Sequence, residues 1–468
     1  MADRFPTARI AEFVAGTSLA QMPPAVREAA ALHVLDTLGC GVAALATDAA
    51  ASVRAATAAT APDGPCTALG LARGVALESA AFANGALCHA LDFDDTHGRS
   101  ICHVSTVVVP AALAVAEAQG SSGTALLEAI VAGGEVVARI GAAAAPAYMR
   151  TGFHHTGVCG AFGATAAAAR LLGLDARAVQ HALGLCGSLA SGSFAFLDDG
   201  SATAKAVNAG AAARAGVLAA TLAAHGADGP QEILAGRFGL FATYFRIAEP
   251  ALDVELDALG SAWETPRIAF KPYPACHFVH SSLDAVREAC DRLGVRAPGE
   301  VEAIAVEVPA PALPLVLEPR AAKLRPRTPY EGKFSLQYSV AAMVAHRRVG
   351  IASYAPSAIA DPDTLALAAR VAHRAADFDS FPAAFPARVA VTAAGGSETV
   401  EVAFQRGSAE RPLERADVLG KFGDNASLAL DSAGVARLRD RTLELGQLAA
   451  VATLTAALAA ARPPEERM

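Results

Sequence analysis

Long apolar runs are missing from this 468-residue chain, although 53% of its residues are hydrophobic. A membrane-spanning helix needs about 20 consecutive apolar residues, and the apolar excess here consists of alanine, so the composition predicts buried helices. The N-terminal sequence MADRFPTARIAEFVAG also lacks the charged segment and following apolar segment that a secretory signal requires. We therefore predict a cytoplasmic protein without a membrane partner.

Paired cysteines are missing as well. The C-x-x-C spacing that is typical of zinc sites does not occur among the eight cysteines. Their spacing also differs from the framework of disulfide-rich domains. Their small or apolar neighbours indicate buried thiols in a reducing compartment. The eight are Cys40, Cys66, Cys88, Cys102, Cys159, Cys186, Cys276 and Cys290.

The chain has no stretch rich in lysine and arginine, and its net charge is −8. Proteins that bind nucleic acid carry a basic patch, so we predict no nucleic-acid partner. An acidic protein that binds an acidic small molecule has to gather its cations locally. A binding site is therefore expected where Lys, Arg and His concentrate.

The length favours two domains, because single hydrophobic cores stop growing at about 250–300 residues. Apolar residues recur at helical spacing from residue 5 to about 245 and again over the last 60 or so residues. We predict a mainly α protein with a large all-helical domain formed by both chain ends, residues 1–266 with 408–468. A smaller α+β lid domain is predicted for residues 267–407.

The lid prediction depends on two alternating patterns. VEAIAVEVP (301–309) alternates apolar and polar residues as a half-buried strand does. ARVAVTAAGGSETVEVAF (387–404) holds two such runs around a Gly-Gly-Ser turn, which predicts a hairpin. Helical patterns lie between them, at about 334–348 and 362–375. Strands and helices mixed over one segment are typical of an α+β unit.

Histidine is concentrated in three short segments that hold seven of the twelve histidines. A fold that brings these segments together makes one site, whereas solvated loops and capped helix ends are the alternative. The seven are His89, His97, His103, His154, His155, His277 and His280.

The first segment, HALDFDDTHGRSICH, ends a helical pattern with His89 and Asp92 on one face. Asp94, Asp95 and Thr96 suit the start of the next helix. A carboxylate from Asp92 or Asp94 is also what holds a catalytic imidazole in one tautomer. Such side chains bind metals too, but the spacing H-x-x-D-x-D-D-x-H matches no metal motif, and we predict no metal.

The second segment, RTGFHHTGVCGAFGATAAAARLLGL, places Gly157, Gly160 and Gly163 at intervals of three. This pattern differs from the dinucleotide-binding G-x-G-x-x-G and follows no strand, so no Rossmann fold is predicted. Gly160 and Gly163 are typical of tight helix packing. The start of such a helix attracts anions, and His154 and His155 lie there.

Lys205 is a lone cation in SATAKAVNAGAAARAG, a segment of small residues. Its ammonium group either extends to solvent or meets an anion.

Two segments of the predicted lid add further polar residues. FKPYPACHFVHSSLDA places Lys271, His277 and His280 in a loop where the second domain begins, and clefts form at domain junctions. Lys333 and Tyr338 lie at the head of a helix in KFSLQYSVAAMVA, where a structural role is the alternative.

These segments resemble the MmgE/PrpD family, which includes 2-methylcitrate dehydratases, cis-aconitate decarboxylases and iminodisuccinate epimerases. The likeness is carried by HALDFDDTH, GFHHTGVCGAFGATAAAARLLGL, SATAKAVNAGAAARAG, FKPYPACHFVHSSLDA and KFSLQYSVAAMV, in that order over nearly the whole chain. The resemblance implies a homodimer with a helical domain and a small α+β lid. It also implies activity on a small di- or tricarboxylate without metal or organic cofactor.

Motif positions imply roles for single residues. Asp92 and Thr96 resemble the family's active-site Asp and Thr, His103 and His154 resemble its two essential histidines, and Lys205 resembles its carboxylate-binding lysine. The predicted catalytic residues are Asp92, His103, His154 and Lys205, and the predicted substrate-binding residues are Thr96, Lys271, His277, His280 and Tyr338.

The sequence departs from the decarboxylase pattern at two places. One additional residue lies between Thr96 and His103, in a loop that contains Arg99. Cys276 stands where the decarboxylases have histidine, with His277 beside it.

The reactions of this family share the gain or loss of a proton on a carbon next to a carboxylate. Cations stabilise the enolate-like anion that forms, a role we assign to Lys205, Lys271 and protonated His277 or His280. Two imidazoles act as base and acid, with Asp92 orienting one of them. We predict a cofactor-independent lyase or isomerase of the dehydratase or decarboxylase type. An epimerase of an iminodisuccinate-like acid, or a catalytically silent scaffold or binding protein, is the alternative.

Overall fold

The computed structural model describes residues 5–147 and 150–466. Its buried apolar residues form two main clusters, one drawn from residues 10–268 with 422–461 and one from residues 273–402. We call the elements of the first cluster the helical part and those of the second cluster the α+β part. The domain boundaries at 266/267 and 407/408 stay a prediction.

Helices make up 59% of the protein, which confirms the mainly α prediction. Proline begins several helices, since its missing N–H costs nothing in the first turn. The helical part begins with Pro6–Gly16 (α1), Pro24–Ala44 (α2), Ala51–Thr60 (α3), Leu77–His89 (α4), Ser105–Gln119 (α5), Gly123–Ala144 (α6), His155–Leu171 (α7), Ala176–Cys186 (α8), Phe196–Asp199 (α9), Ala202–Ala224 (α10), Leu240–Thr243 (α11) and Leu252–Asp257 (α12).

Three short strands correct the prediction that this part is all-helical. They are Asp63–Cys66 (β1), Thr96–His97 (β2) and Ile268–Ala269 (β3). Strands β2 and β3 pair antiparallel, with Thr96 opposite Ala269. Two-residue ladders leave no periodic signal in a sequence. This one matters because it holds Lys271, two residues beyond β3, beside the segment that follows α4.

Helices α7 and α10 form the centre of the helical part, where they contact each other and α4, α5, α6 and α8. Glycine permits this close approach. A Cβ atom built on Gly163 would lie 2.1 Å from Cγ2 of Val137 and 2.6 Å from the carbonyl oxygen of Gly133 in α6. On Gly160 it would lie 3.0 Å from the side chain of Val107 in α5. The interpretation of these glycines as packing residues is confirmed.

Gly163→Ala is expected to lower the free energy of unfolding by about 1–3 kcal/mol, the usual cost of overpacking a close-packed core. Gly134→Ala in α6 is the matched control, because its Cβ would lie 3.6 Å from the nearest atom, on Val104. Alanine favours the helix there, so no loss is expected. Urea denaturation of the two variants measures the difference, and equal stabilities would contradict the packing argument.

The α+β part has six helices and four strands. The order in the sheet is β5-β4-β6-β7, with β4 and β5 parallel and the other pairs antiparallel. The elements are His280–Leu293 (α13), Val301–Val308 (β4), Arg320–Leu324 (α14), Pro329–Lys333 (α15), Leu336–His346 (α16), Pro356–Ile359 (α17), Pro362–Ala368 (α18), Val371–Ala375 (β5), Ala387–Ala393 (β6) and Gly396–Val402 (β7).

The predicted strand at 301–309 and the hairpin at 387–404 are confirmed. The helical pattern at 362–375 is wrong beyond Ala368, since Val371–Ala375 is a strand. This segment pairs along residues 304–308 of β4. Pairing with a distant strand decided the local structure, which no local spacing can reveal.

The C-terminal helices Arg415–Ala426 (α19), Ser432–Leu443 (α20) and Ala452–Leu458 (α21) return to the helical part. Helices α19 and α20 contact α2, and α21 contacts α5. The close approach of α19 is visible at Gly39, where an added Cβ would lie 3.0 Å from the ring of Phe422.

Among the described residues, α10 alone is a single helix long and apolar enough to cross a membrane, and α2 with α3 would pass the same test as a bent pair. Of the apolar window in α10, 61% is buried inside the protein. The helix also carries the buried Lys205. Its apolar character is thus explained by its place at the centre of the helical part.

Candidate functional site

A left-handed turn after α4 carries three buried aspartates. Asp92 has φ +52°, a conformation that costs an L-residue about 1–2 kcal/mol unless its surroundings stabilise it. Asp92, Asp94 and Asp95 are 2%, 0% and 0% exposed. Because a buried carboxylate needs charged or hydrogen-bonded partners, the contacts of these three residues define the site.

Asp92 accepts hydrogen bonds from two ammonium groups with one oxygen. Its Oδ1 lies 2.8 Å from Nζ of Lys205 and 2.6 Å from Nζ of Lys271. Burial raises the pKa of Asp92, but these ammonium groups outweigh burial and hold the pKa well below its usual range. Lys205 thus meets an anion instead of extending to solvent. The prediction that Asp92 orients an imidazole is wrong for this structure, because its Oδ1 binds the two lysines and no described imidazole nitrogen bonds to the carboxylate.

Asp94 is the carboxylate that orients imidazoles. Its Oδ2 lies 2.8 Å from Nδ1 of His89 and 3.1 Å from Nδ1 of His103. Burial raises the pKa of Asp94, but the two histidines hold it well below its usual range. With Nδ1 engaged by Asp94 and, at 3.4 Å, by the hydroxyl group of Thr96, His103 keeps Nε2 for other contacts.

Asp95 and Arg99 anchor the loop between the turn and α5. Asp95 Oδ1 accepts a hydrogen bond from the backbone N of Ser105, the first residue of α5. The N-cap of this helix is Val104, so the prediction that Asp94, Asp95 or Thr96 caps it is wrong. The other oxygen of Asp95, Oδ2, lies 2.8 Å from Nδ1 of His33. Arg99 binds Glu264 at 3.0 Å. These side chains hold the loop in place and do not contribute charge to the site.

His154 lies at the N-terminus of α7, close to His89 and His103. Its ring centroid is 5.9 Å from that of His89. The amide nitrogen of Asn208 lies 3.2 Å from Nδ1 of His154 and also donates to the carbonyl of Ser193. Since that nitrogen donates, Nδ1 of His154 accepts, and the ring proton is on Nε2. His155 contacts Phe245 instead, with ring centroids 5.0 Å apart.

A cavity of about 50 Å³ lies where these groups meet. Phenylalanine rings close it on several sides, among them Phe194, Phe196 and Phe334. Apolar rings beside charged groups lower the local dielectric constant, which strengthens the charge interactions of the cavity. Seven of the nine predicted site residues line the cavity: Asp92, Thr96, His103, His154, Lys205, Lys271 and His277. Their chemical roles stay predictions.

His280 and Tyr338 do not line this cavity. Nε2 of His280 bonds to the carbonyl of Ala275 at 3.1 Å, and the hydroxyl group of Tyr338 donates to the carbonyl of Ser353 at 2.7 Å. Both lie inside the α+β part, away from the cavity, and their role as substrate contacts stays a prediction. Neighbouring residues of a motif lie on different faces of a helix, and the motif alone does not tell which face lines the cavity.

The histidines of the α+β part are not the cations that we predicted. Burial, with His280 and Lys271 nearby, lowers the pKa of His277 well below its usual range. Burial and Lys271 lower the pKa of His280 to about 3. Both rings are therefore neutral near pH 7. Among the described residues that line the cavity, Lys205 and Lys271 supply the positive charge.

His89, Asp94 and His103 are the described residues whose ligand atoms lie close enough to hold a metal ion, within 4.8 Å of one another. In this structure both Nδ1 atoms bond to one oxygen of Asp94. A cation bound through these atoms would have to displace the two hydrogen bonds. The absence of a metal stays a prediction, which EDTA treatment can test.

Three polar groups near the site were missed or given only a structural role by sequence reasoning: Lys333, Lys421 and Asn208. Lys333 donates to the carbonyl of Leu91 at 2.5 Å and Lys421 to that of Phe93 at 2.7 Å. A compositional signal points to both lysines. Lysine occurs only five times among 38 basic residues, so each lysine stands out in the sequence. Asn208 leaves no such signal.

The neutral histidines predict how stability depends on pH. Burial lowers the pKa of His103 to about 4, although Asp94 raises it, whereas an unfolded histidine has a pKa of about 6.5. Between these values the unfolded chain binds more protons than the folded one. The free energy of unfolding should therefore fall as pH drops from about 6.5 to about 4, by up to about 1.4 kcal/mol per pH unit for each such histidine.

Urea denaturation at several pH values between 4.5 and 7.5 measures this slope. His280→Gln should make this slope smaller by the contribution of one histidine, because burial also lowers the pKa of His280, to about 3. A profile that is flat over this range would contradict the neutral state of the histidines.

With this geometry in hand, comparison with known proteins gives the family. The MmgE/PrpD N-terminal domain model matches residues 8–253 and the MmgE/PrpD C-terminal domain model matches residues 273–445. The chain belongs to the MmgE/PrpD family.

Relatives within the family are named as decarboxylases. The cis-aconitate decarboxylase-like protein oryM of Aspergillus oryzae is 28% identical, over 96% of both chains. A cis-aconitate decarboxylase of Aspergillus terreus is 26% identical over 96% of this chain and 94% of its own. The human cis-aconitate decarboxylase is 28% identical over 82% of this chain and 80% of its own.

Proposed function

We propose that this protein is a cofactor-independent lyase that acts on a small di- or tricarboxylate by proton transfer at a carbon next to a carboxylate. One observation carries the proposal: two buried ammonium groups and two imidazoles line a single cavity. Decarboxylation of a cis-aconitate-like acid is the reaction we favour, because the similar proteins above carry that name.

Lys205 and Lys271 serve to bind substrate carboxylates. Together with Asp92 they carry a net charge of +1, so an added carboxylate completes the charge balance of the buried group. Preorganised cations in a site without water stabilise developing negative charge, the largest single contribution in many enzymes. The same lysines therefore hold the substrate and lower the energy of its enolate-like anion.

His103 and His154 carry their protons on different ring nitrogens, which divides the proton-transfer roles between them. Asp94 holds the proton of His103 on Nδ1, which leaves Nε2 as a base. Asn208 leaves the proton of His154 on Nε2, where it is available as an acid. When a C–C bond breaks and carbon dioxide departs, the electron pair stays on the substrate as an enolate. His103 takes a proton from solvent on Nε2, and Asp94 balances the charge. His154 delivers its Nε2 proton to the carbon of the enolate and receives the proton of His103 in its place, so the product is complete and both rings end neutral.

The cavity of about 50 Å³ is too small for the substrate, since sites for small molecules have volumes of about 300–1,000 Å³. Its walls come from both parts of the chain, with His154 and Lys205 from the helical part and His277 and Phe334 from the α+β part. Substrate entry therefore requires these parts to separate, and closure afterwards excludes water.

Proton NMR in D₂O with cis-aconitate, citrate, 2-methylcitrate and iminodisuccinate tests the proposal. We expect conversion of one acid, with deuterium incorporated at the carbon that gains the proton, at an unchanged rate in EDTA. Conversion with loss of water or inversion alone would replace decarboxylation by dehydration or epimerisation. No conversion and no exchange with any acid would favour a silent scaffold. A homodimer in the cytoplasm stays a prediction.

A further inference from the structure

Four of the five lysines converge on three consecutive residues of the turn after α4. The sequence contains 38 basic residues, and only five are lysine. The four come from distant positions, in α10, the loop after β3, α15 and α19. Their contacts are with residues 91–93, and the lysines are Lys205, Lys271, Lys333 and Lys421.

Three of these lysines bind successive backbone carbonyls. Lys333 donates to Leu91 at 2.5 Å, Lys271 to Asp92 at 3.1 Å and Lys421 to Phe93 at 2.7 Å. The middle residue is the one with a left-handed backbone, and its side chain binds Lys205 and Lys271. Any rotation of the turn would break the carbonyl contacts and move the carboxylate at the same time.

We propose that Lys333 and Lys421 are positioning residues that fix the turn at Asp92, so that its carboxylate holds Lys205 and Lys271 at the spacing the substrate needs. The proposal deepens the proposed function and depends on it for its kinetic part. Neither residue lines the cavity around Asp92, so both act through the backbone.

Lys421 fits this role because of where its ammonium group lies. The group bonds to Oδ1 of Asp36 and to the carbonyl of Phe93, both at 2.7 Å, and lies 4.0 Å from the centroid of the Phe93 ring. It faces a second, separate cavity of about 840 Å³ on the other side of the turn. The carboxylate oxygen, the carbonyl oxygen and the ring surround one nitrogen atom. This arrangement suits the compact ammonium group better than the planar guanidinium group of arginine.

Lys333 fits the role because it comes from the α+β part. Its ammonium group is buried and bonds to the carbonyl of Leu91 in the helical part. Burial and the ammonium groups of Lys205 and Lys271 lower its pKa to about 8, although Asp92 raises it. Burying a cation so close to two others lowers the stability of the protein. A neutral side chain would avoid this loss, so the charge of Lys333 is expected to have a role.

The test uses protein labelled with ¹³C at the lysine ε-carbon, where five lysines give five assignable signals. The variants are Lys333→Met and the pair Lys421→Met with Asp36→Asn, which avoids leaving a buried carboxylate unpaired. Asp36→Asn alone and Arg370→Met are the controls. Arg370 donates to the carbonyl of Val301 at 2.6 Å, far from the turn. Without any substrate, both test variants should shift the signals of Lys205 and Lys271, and Arg370→Met should not.

Kinetics distinguish positioning from stability. A misplacement of about 1 Å costs up to about 100-fold in rate, so we expect kcat to fall 10- to 100-fold well below the melting temperature, with KM changed less than kcat. Signals of Lys205 and Lys271 that stay in place, with kcat unchanged and only a lower melting temperature, would overturn the proposal. If the protein converts no carboxylate at all, the NMR shifts still decide whether the turn is fixed by these lysines.

Discussion

His154→Ala is expected to lower kcat by at least 100-fold, since a positioned acid or base contributes about 10²–10⁴-fold. The ring is neutral, because burial and the neighbouring His89 and Lys205 lower its pKa well below the usual range. Its removal therefore leaves no unpaired charge, and Asn208 keeps a partner in the carbonyl of Ser193. The fold should survive, with an unchanged far-ultraviolet circular dichroism spectrum. The rate is measured by proton NMR with the acid that the wild-type protein converts.

His155→Ala is the matched control for this variant. The neighbouring ring is equally buried but contacts Phe245 and does not line the cavity. Its loss should lower stability and leave kcat within a few-fold of the wild type. An equal loss of rate in both variants would indicate a general disturbance of α7, and unchanged turnover in His154→Ala would remove His154 from the mechanism.

Asp92→Asn is expected to cost about 3–5 kcal/mol of the free energy of unfolding, the usual effect of removing one partner of a buried ion pair. Lys205 and Lys271 would keep their charges inside the protein without a counter-ion. Activity should be lost with stability, because the two ammonium groups would repel each other. Urea denaturation at pH 7 measures the first effect, and the NMR assay measures the second.

A double variant tests the reason for this loss. Lys205→Met together with Asp92→Asn removes one of the two ammonium groups that Asp92 binds, so the Lys205→Met substitution should restore part of the stability that Asp92→Asn removes. Coupling of this kind is what a double-mutant cycle detects between residues in contact. A polycarboxylate should also raise the melting temperature of Asp92→Asn more than that of the wild type. Strictly additive losses, and equal ligand shifts, would contradict the charge argument.

Sequence reasoning located most of the site because its residue types are rare elsewhere in this chain. Histidine clusters and a lysine among small residues stand out against alanine, and a chain does not place such groups in its core without partners. The same reasoning failed at Asp92, whose partner was predicted to be a histidine. Asp92 and Asp94 are two residues apart, and nothing local says that one faces lysines and the other faces imidazoles.

Other features that the sequence did not reveal have the same origin. Residues 371–375 have a helical pattern but form a strand, because they pair with β4. Tyr338 belongs to a recognisable motif but faces the inside of the α+β part. Lys421 lies in a segment without any motif, and only the return of α19 to α2 brings it to the turn.

The amino-acid sequence by itself determined the mainly α character, the strands β4, β6 and β7, and the set of groups available for chemistry, since these depend on residue type and on spacing within one element. Only the tertiary structure decided which carboxylate binds which cation, that burial lowers the pKa values of His103 and His154, and that lysines from four distant positions meet at residues 91–93. The reason is physical: charge pairing and burial depend on distances across the fold, which spacing along the chain does not contain.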